Sequence, residues 1–371
     1  MPASPARRPF TALIASIGLV SGVALTAVTV PALATPASAA VRSQVALGWP
    51  GSAFYVNSAP RVQGGIAPAS QARTVLLQQS VPGGWKTVAS TRTDRGLFAL
   101  VLPTATPGKR TFRVLAPASS GGTSVTSATS AVMVKPSNPK AFAFTSQNRP
   151  SDPIARWDSC DGPVGWRINA RQASAGALAD TQGALARISA VSGLKFAYRG
   201  TTTIVPGAPK QPKRPKDTQL VIAWVKPGQS AQLTVAQAKA GVAGIGGATW
   251  SYGYVDKAGR PASKIFSGEV VLNASKTYAA GFGSGPATGQ QGTRGQLLMH
   301  EIGHAVGLDH PEGPDTSQIM YAQLGSKLAV WGAGDTNGLR AVGARAGCLT
   351  LPAPDFGPES VTPQVHVTRS S

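Results

Sequence analysis

The chain has 371 residues, with 35 Lys+Arg against 15 Asp+Glu and a formal net charge of +20. Such an excess favours association with anionic surfaces, such as wall polymers or acidic proteins. The basic residues are spread out rather than gathered on one helix or among aromatics, which argues against a nucleic-acid-binding module.

The first forty residues read as an export signal. Arg7 and Arg8 form a basic start, Phe10 to Val30 is mostly apolar, and Ala37-Ser38-Ala39 is an A-x-A cleavage box. The apolar run is long enough to span a bilayer, so an uncleaved anchor is the competing reading. Small residues dilute it, and a secreted protein is expected. No later segment is apolar enough to cross a membrane. Arg7-Arg8 alone does not decide between the general and the twin-arginine export routes. The roughly 330 residues that follow suggest two domains.

Residues 41–136 read as short strands separated by Gly/Pro turns: 72–79, 85–89, 96–102, 111–116 and 132–134. That rhythm argues for an all-β antiparallel sandwich and resembles the immunoglobulin-like modules of exported bacterial proteins. The segment holds ten Lys/Arg against the single Asp94, and neither His nor Cys. Docking on an anionic surface or wall polymer is the expected role. Residues 137–152, rich in Pro, Ser and Asn, read as a linker.

From residue 153 to 352 the pattern changes. Val164 to Asn169 reads as a strand, and 178–191 as a helix, with Leu178, Leu185, Ile188 and Val191 at helical spacing and Gly193 as its stop. Strands follow at 194–198 and 220–225. The loop 206–216, with Lys210, Lys213, Arg214 and Lys216 among prolines, reads as mobile and solvated. Gly241 to Gly247 lacks the Lys-Ser/Thr of a phosphate loop and is given no nucleotide role. Gly268 to Asn273 is a further strand, 279–294 reads as irregular, and 353–371 as a polar tail.

The stretch Met299 to His310 carries the chemistry. It fits H-E-x-x-H-x-x-G-x-x-H, and three of the four histidines of the chain fall within it. Residues four apart on a helix are separated by about 6 Å along the axis and share a face, so His300 and His304 can hold one ion from consecutive turns. Gly307 permits a positive φ that ends the helix and turns the chain back. His310 can then be the third nitrogen ligand, which leaves the fourth position open, as a catalytic zinc site requires. Glu301 follows the first histidine and is placed to act as general base beside the metal.

With Met320 and Tyr321 ten residues further on, this constellation resembles the metzincin zinc peptidases, particularly compact bacterial matrixin-like enzymes. Trp157 to Asn169 and Gly334 to Leu339 add to the likeness, which covers about half the chain. The resemblance implies an α/β (α+β) catalytic domain with a twisted mixed sheet and a zinc helix, and Met320 and Tyr321 in a supporting turn beneath the metal. Departures are present. Pro311 stands where astacins have Glu, Ala322 stands where matrixins often have Pro, and no cysteine precedes Cys160 to block the metal. Vertebrate matrixins hold a second, structural zinc with additional histidines; no such set remains here, so one catalytic zinc is expected. Calcium sites are common in the resembled family, but no acidic loop of this sequence supports one.

The expected activity is hydrolysis of protein or peptide substrates, by a monomer. The alternatives are a wall-binding protein with a vestigial site and a zinc amidase acting on wall peptides. Cys160 and Cys348, in an exported chain, are expected to form one disulfide.

Overall fold

The computed structural model describes residues 42–119, 122–147, 149, 151–285 and 292–351, and the backbone of 364–370. The stretch 1–40, read above as an export signal with a cleavage box, lies outside these residues.

The N-terminal part is built of strands alone. Its nine are β1 (Gln44–Gly48), β2 (Ala53–Tyr55), β3 (Arg61–Ala67), β4 (Thr74–Val81), β5 (Gly84–Arg92), β6 (Leu97–Val101), β7 (Gly108–Ala116), β8 (Val125–Thr126) and β9 (Ser130–Lys135). They form a three-stranded sheet, β1-β3-β6, and a six-stranded sheet, β2-β9-β7-β4-β5 with β8 beside β7. Apolar residues alternate along the strands and meet in one core. Val62, Ile66, Phe98 and Leu100 of the first sheet pack with Val75, Leu77, Phe112, Val114 and Val132 of the second. The first three strands carry no strong apolar pattern and are absent from the sequence reading.

The stretch 137–152 is not a free connection. Its strand β10 (Ala143–Phe144) pairs with β17 (Leu308–Asp309), immediately before His310. Ser137 and Asn138 are hydrogen-bonded to Gln318. Residues Ala40–Ser371 form one compact unit.

Beyond it the order is β11 (Ile154–Trp157), β12 (Val164–Asn169), α1 (Ala177–Ser192), β13 (Phe196–Thr201), β14 (Leu220–Val225), the short α2 (Val235–Lys239), β15 (Val242–Asp256) and β16 (Pro261–Asn273). Then come α3 (Arg294–Ala305), β17, β18 (Gln323–Leu324), α4 (Ala333–Ala341), β19 (Leu349–Thr350) and β20 (Gln364–Ser370). One mixed sheet orders these strands β13-β12-β14-β16-β15-β20-β18. The first four run parallel, and β15 turns antiparallel to β16. All six residues of β14 are buried, as a strand covered on both faces requires.

Helix α1 stops at Gly193, whose left-handed backbone lets its N–H reach Ser189 O. Arg294 joins α1 to α3 by donating from Nε to the Asp180 carboxylate at 2.7 Å. The loop 206–216 is held down at Arg214, which pairs with Glu269 at 2.6 Å, so it is less free than its prolines and lysines suggest. The glycine run 241–247 opens β15 rather than forming a loop. Cys160 and Cys348 are disulfide-bonded. Among the described residues no helix is long and apolar enough to cross a membrane.

Candidate metal centre

Helix α3 sets the site. Thr293 caps it by accepting the Gln296 N–H at 3.2 Å, and all twelve of its residues are buried. At its far end the Trp157 indole donates to Ala305 O at 3.0 Å, satisfying a carbonyl the helix leaves open. Gly307 then turns the chain back at φ +110°. A Cβ there would meet Ala155 O at 2.5 Å, so backbone conformation and space both demand glycine.

The turn brings His310 back over α3. The Nε2 atoms of His300, His304 and His310 form a triangle with edges of 3.1, 3.1 and 3.2 Å. A tetrahedron of nitrogens about 2.0 Å from a central ion has edges of roughly 3.3 Å, so the spacing fits a small divalent metal. Tautomers agree with this. His300 Nδ1 lies 2.7 Å from Ile319 O and His304 Nδ1 lies 2.9 Å from Leu308 O. A carbonyl only accepts, so each Nδ1 carries the hydrogen and each Nε2 is left with a lone pair for a metal.

Glu301 is fully buried on the same helix, against β15. A Cβ on Gly246 would lie 2.0 Å from Glu301 O, and one on Gly244 would lie 2.8 Å from Glu301 Oε1. The two glycines, two apart and hence on one face of the strand, let helix and strand approach this closely. The alternation was visible in the sequence, but only a strand assignment gives it meaning. Tyr278, which packs by Trp224, is near enough to feel the Glu301 charge. Burial, and then that carboxylate, push its hydroxyl well above the ordinary phenol range.

Met320 lies beneath. A Cβ on Gly303 would be 2.4 Å from Met320 Sδ, so the thioether rests on the helix between His300 and His304. Tyr321, half-buried, follows in the turn closed by its N–H to Gln318 O. The turn is anchored by groups that the motif did not point to. The Asp335 carboxylate, in the first turn of α4, accepts the N–H of Ile319, of Met320 at 3.2 Å and of Gly332 at 2.9 Å. Lys327, fully buried, donates from Nζ to Thr316 O at 2.9 Å and to Gln318 O. Burial lowers the Lys327 ammonium to about 8 and raises the Asp335 carboxyl to about 6, with the amides around Asp335 and each other's charge opposing both shifts.

A cavity of about 300 Å³ adjoins the turn, lined by Tyr321 and Leu324 on one side and by Phe54 and Pro60 of the N-terminal part on the other. The Leu328 N–H bonded to Asn57 O and Arg61 bonded to Gly285 O hold the two parts together there. The other Asp/Cys group, Asp158 with Cys160 and Cys348, contains the disulfide and offers no thiolate.

No curated protein sequence matches the chain. Residues 224–338, which run from the end of β14 to α4 and include all three histidines, Glu301 and Met320, match the model of the family Peptidase M66, and this match supports a peptidase.

Proposed function

We propose that this protein is an exported, zinc-dependent endopeptidase of the metzincin type. The observation that carries the reading is the triangle of three Nε2 atoms with Glu301 buried beside it on helix α3. A bound zinc ion would supply Lewis-acid polarisation of the scissile carbonyl and acidify the attacking water. Glu301 takes the proton of that water on its carboxylate and delivers it to the leaving amine. Backbone carbonyls of Ile319 and Leu308 hold two of the imidazoles in the required tautomer. Met320 and the Asp335-anchored turn keep the floor of the site rigid. The third histidine beyond a glycine turn and the methionine below favour the metzincin type, and a matrixin-like member within it.

The N-terminal segment 41–136, carrying ten Lys/Arg and one acid, docks the enzyme on anionic wall material. A vestigial site has no need of a buried glutamate placed as Glu301 is. In the test, Glu301→Gln keeps the fold and about one zinc per chain by metal analysis, the stoichiometry of a single three-histidine site. Cleavage of casein should fall at least ~10³-fold, the upper range for losing a general base. Wild-type cleavage by the variant would sink the mechanism. Wall-peptide amide cleavage without casein cleavage would favour an amidase.

A further inference from the structure

The edge of β15 that faces away from β16 is covered by β20. The two run antiparallel, with Gln364 opposite Ala248, His366 opposite Gly246, Thr368 opposite Gly244 and Arg369 opposite Val242. On its other side β20 pairs in parallel with β18, Arg369 opposite Gln323 and Ser370 opposite Leu324. Both neighbours belong to the candidate site. β15 supplies the glycines that stack on Glu301, and β18 begins three residues after Met320. Strands pair about 4.8 Å apart, so β15 and β18 flank a slot roughly 10 Å across that takes a single strand.

Main-chain groups on both sides define what fits this slot. It accepts an extended backbone through main-chain hydrogen bonds, as strand addition does elsewhere. An extended polypeptide awaiting cleavage has that chemistry. The register places 366–368 against the part of β15 that lies on Glu301, where a scissile bond would have to come.

We propose that the segment Gln364–Ser370 is a built-in strand ligand of this cleft, so that the protein blocks its own substrate path. The blocking rests on the peptidase reading of the site; the strand docking does not. Connectivity favours it. β19 pairs with β15 at Val255 and Asp256 and runs in the same direction along it as β20. From Val255 to Ala248 is about 24 Å along a strand, while the thirteen residues between β19 and β20 reach about 43 Å when extended. The tether can therefore seat the segment and also release it. Held this way, it competes at an effective concentration in the millimolar range, above most free peptides.

The experiment starts from the full chain with a specific protease site inserted within 353–362, compared before and after cutting and removal of the freed peptide. The first readout is hydrogen exchange of the β15 amides across Val242–Ala248. Those that face β20 rather than β16 should be protected in the intact chain and exchange faster after cutting. The second is kcat/KM on a short soluble peptide, which should rise about tenfold if the segment holds nine cleft positions in ten. Adding back the free peptide Gln364–Ser370 should raise KM and leave kcat unchanged. The uncut variant Val367→Pro/Thr368→Pro removes a donor toward β15, since successive amides face opposite edges and one of the two must face that strand. It should behave as the cut form.

Unchanged exchange in both the cut chain and the proline variant would overturn the docking. Faster exchange with equal kcat/KM would overturn the self-blocking. Faster exchange with no hydrolysis by any form would keep the strand ligand and remove the peptidase reading.

Discussion

Gly244 and Gly246 both face Glu301, but they meet different atoms of it, and their substitutions should part company. At Gly246 a methyl would strike the helix backbone at Glu301 O, which cannot move without shifting α3. Gly246→Ala should cost about 1–3 kcal/mol in thermal or denaturant unfolding, as overpacking does, and lose activity as well. At Gly244 the methyl would meet the end of the Glu301 side chain, which can swing aside. Gly244→Ala should therefore lower kcat with little change in stability; equal melting losses in the two variants would contradict this packing.

Lys327 supplies a pH test at the same scale. Its ammonium loses its proton near pH 8 when folded and near 10.5 when unfolded, because burial disfavours the charge. Between those values the unfolded chain binds more protons, so stability rises with pH. Measured against Lys327→Met, the wild type should gain on the order of 3 kcal/mol from pH 8 to 10.5. A flat difference would mean that the ammonium is hydrated. Asp335 acts in the opposite sense. Its folded value of about 6 lies above 3.8, so its contribution is present below pH 3.8 and is lost as pH rises through 6.

The histidine spacing was legible because three fixed offsets on one helix and its turn carry the geometry. Lys327, Asp335 and Gln318 were not, because each acquires meaning only from partners brought up by the fold.

Among the elements, those with a strong period were readable. The helix read at 178–191 is α1, Ala177–Ser192, and the apolar run 220–225 is β14. β15 escaped because glycine has low strand propensity and close packing against α3 overrides it. β20 escaped because it lies in a polar stretch at the end of the chain and takes its place only from partners brought up by the fold, although Gln364-Val365-His366-Val367-Thr368 does alternate. The stretch 137–152 misleads by composition: Pro, Ser and Asn suggest a linker, yet it braces the loop that carries His310. The Thr145 N–H reaches Gly307 O at 3.0 Å, and the Asn138 N–H reaches Asp315 Oδ2 at 2.7 Å. A chain started at Pro153 loses these bonds and strands buried acceptors, each at about 1–3 kcal/mol. It should melt at lower temperature and bind zinc more weakly than a chain started at Ser137. Equal melting and equal zinc affinity would show that the brace is dispensable.

At the scale of the whole molecule, the disulfide from Cys160 to Cys348 spans a sequence separation of 188 residues. All three histidines, Glu301, the Met320 turn and the exposed loop 206–216 fall inside that covalent ring. A ring opened once remains one molecule. On the reading proposed above, of an exported peptidase, a copy can thus be nicked at 206–216 without shedding either half. Limited digestion should give one band without reductant and two with it, while the nicked form keeps its hydrolytic rate until the bridge is reduced. Damage of this kind would shorten the life of an open chain but leaves this one in service.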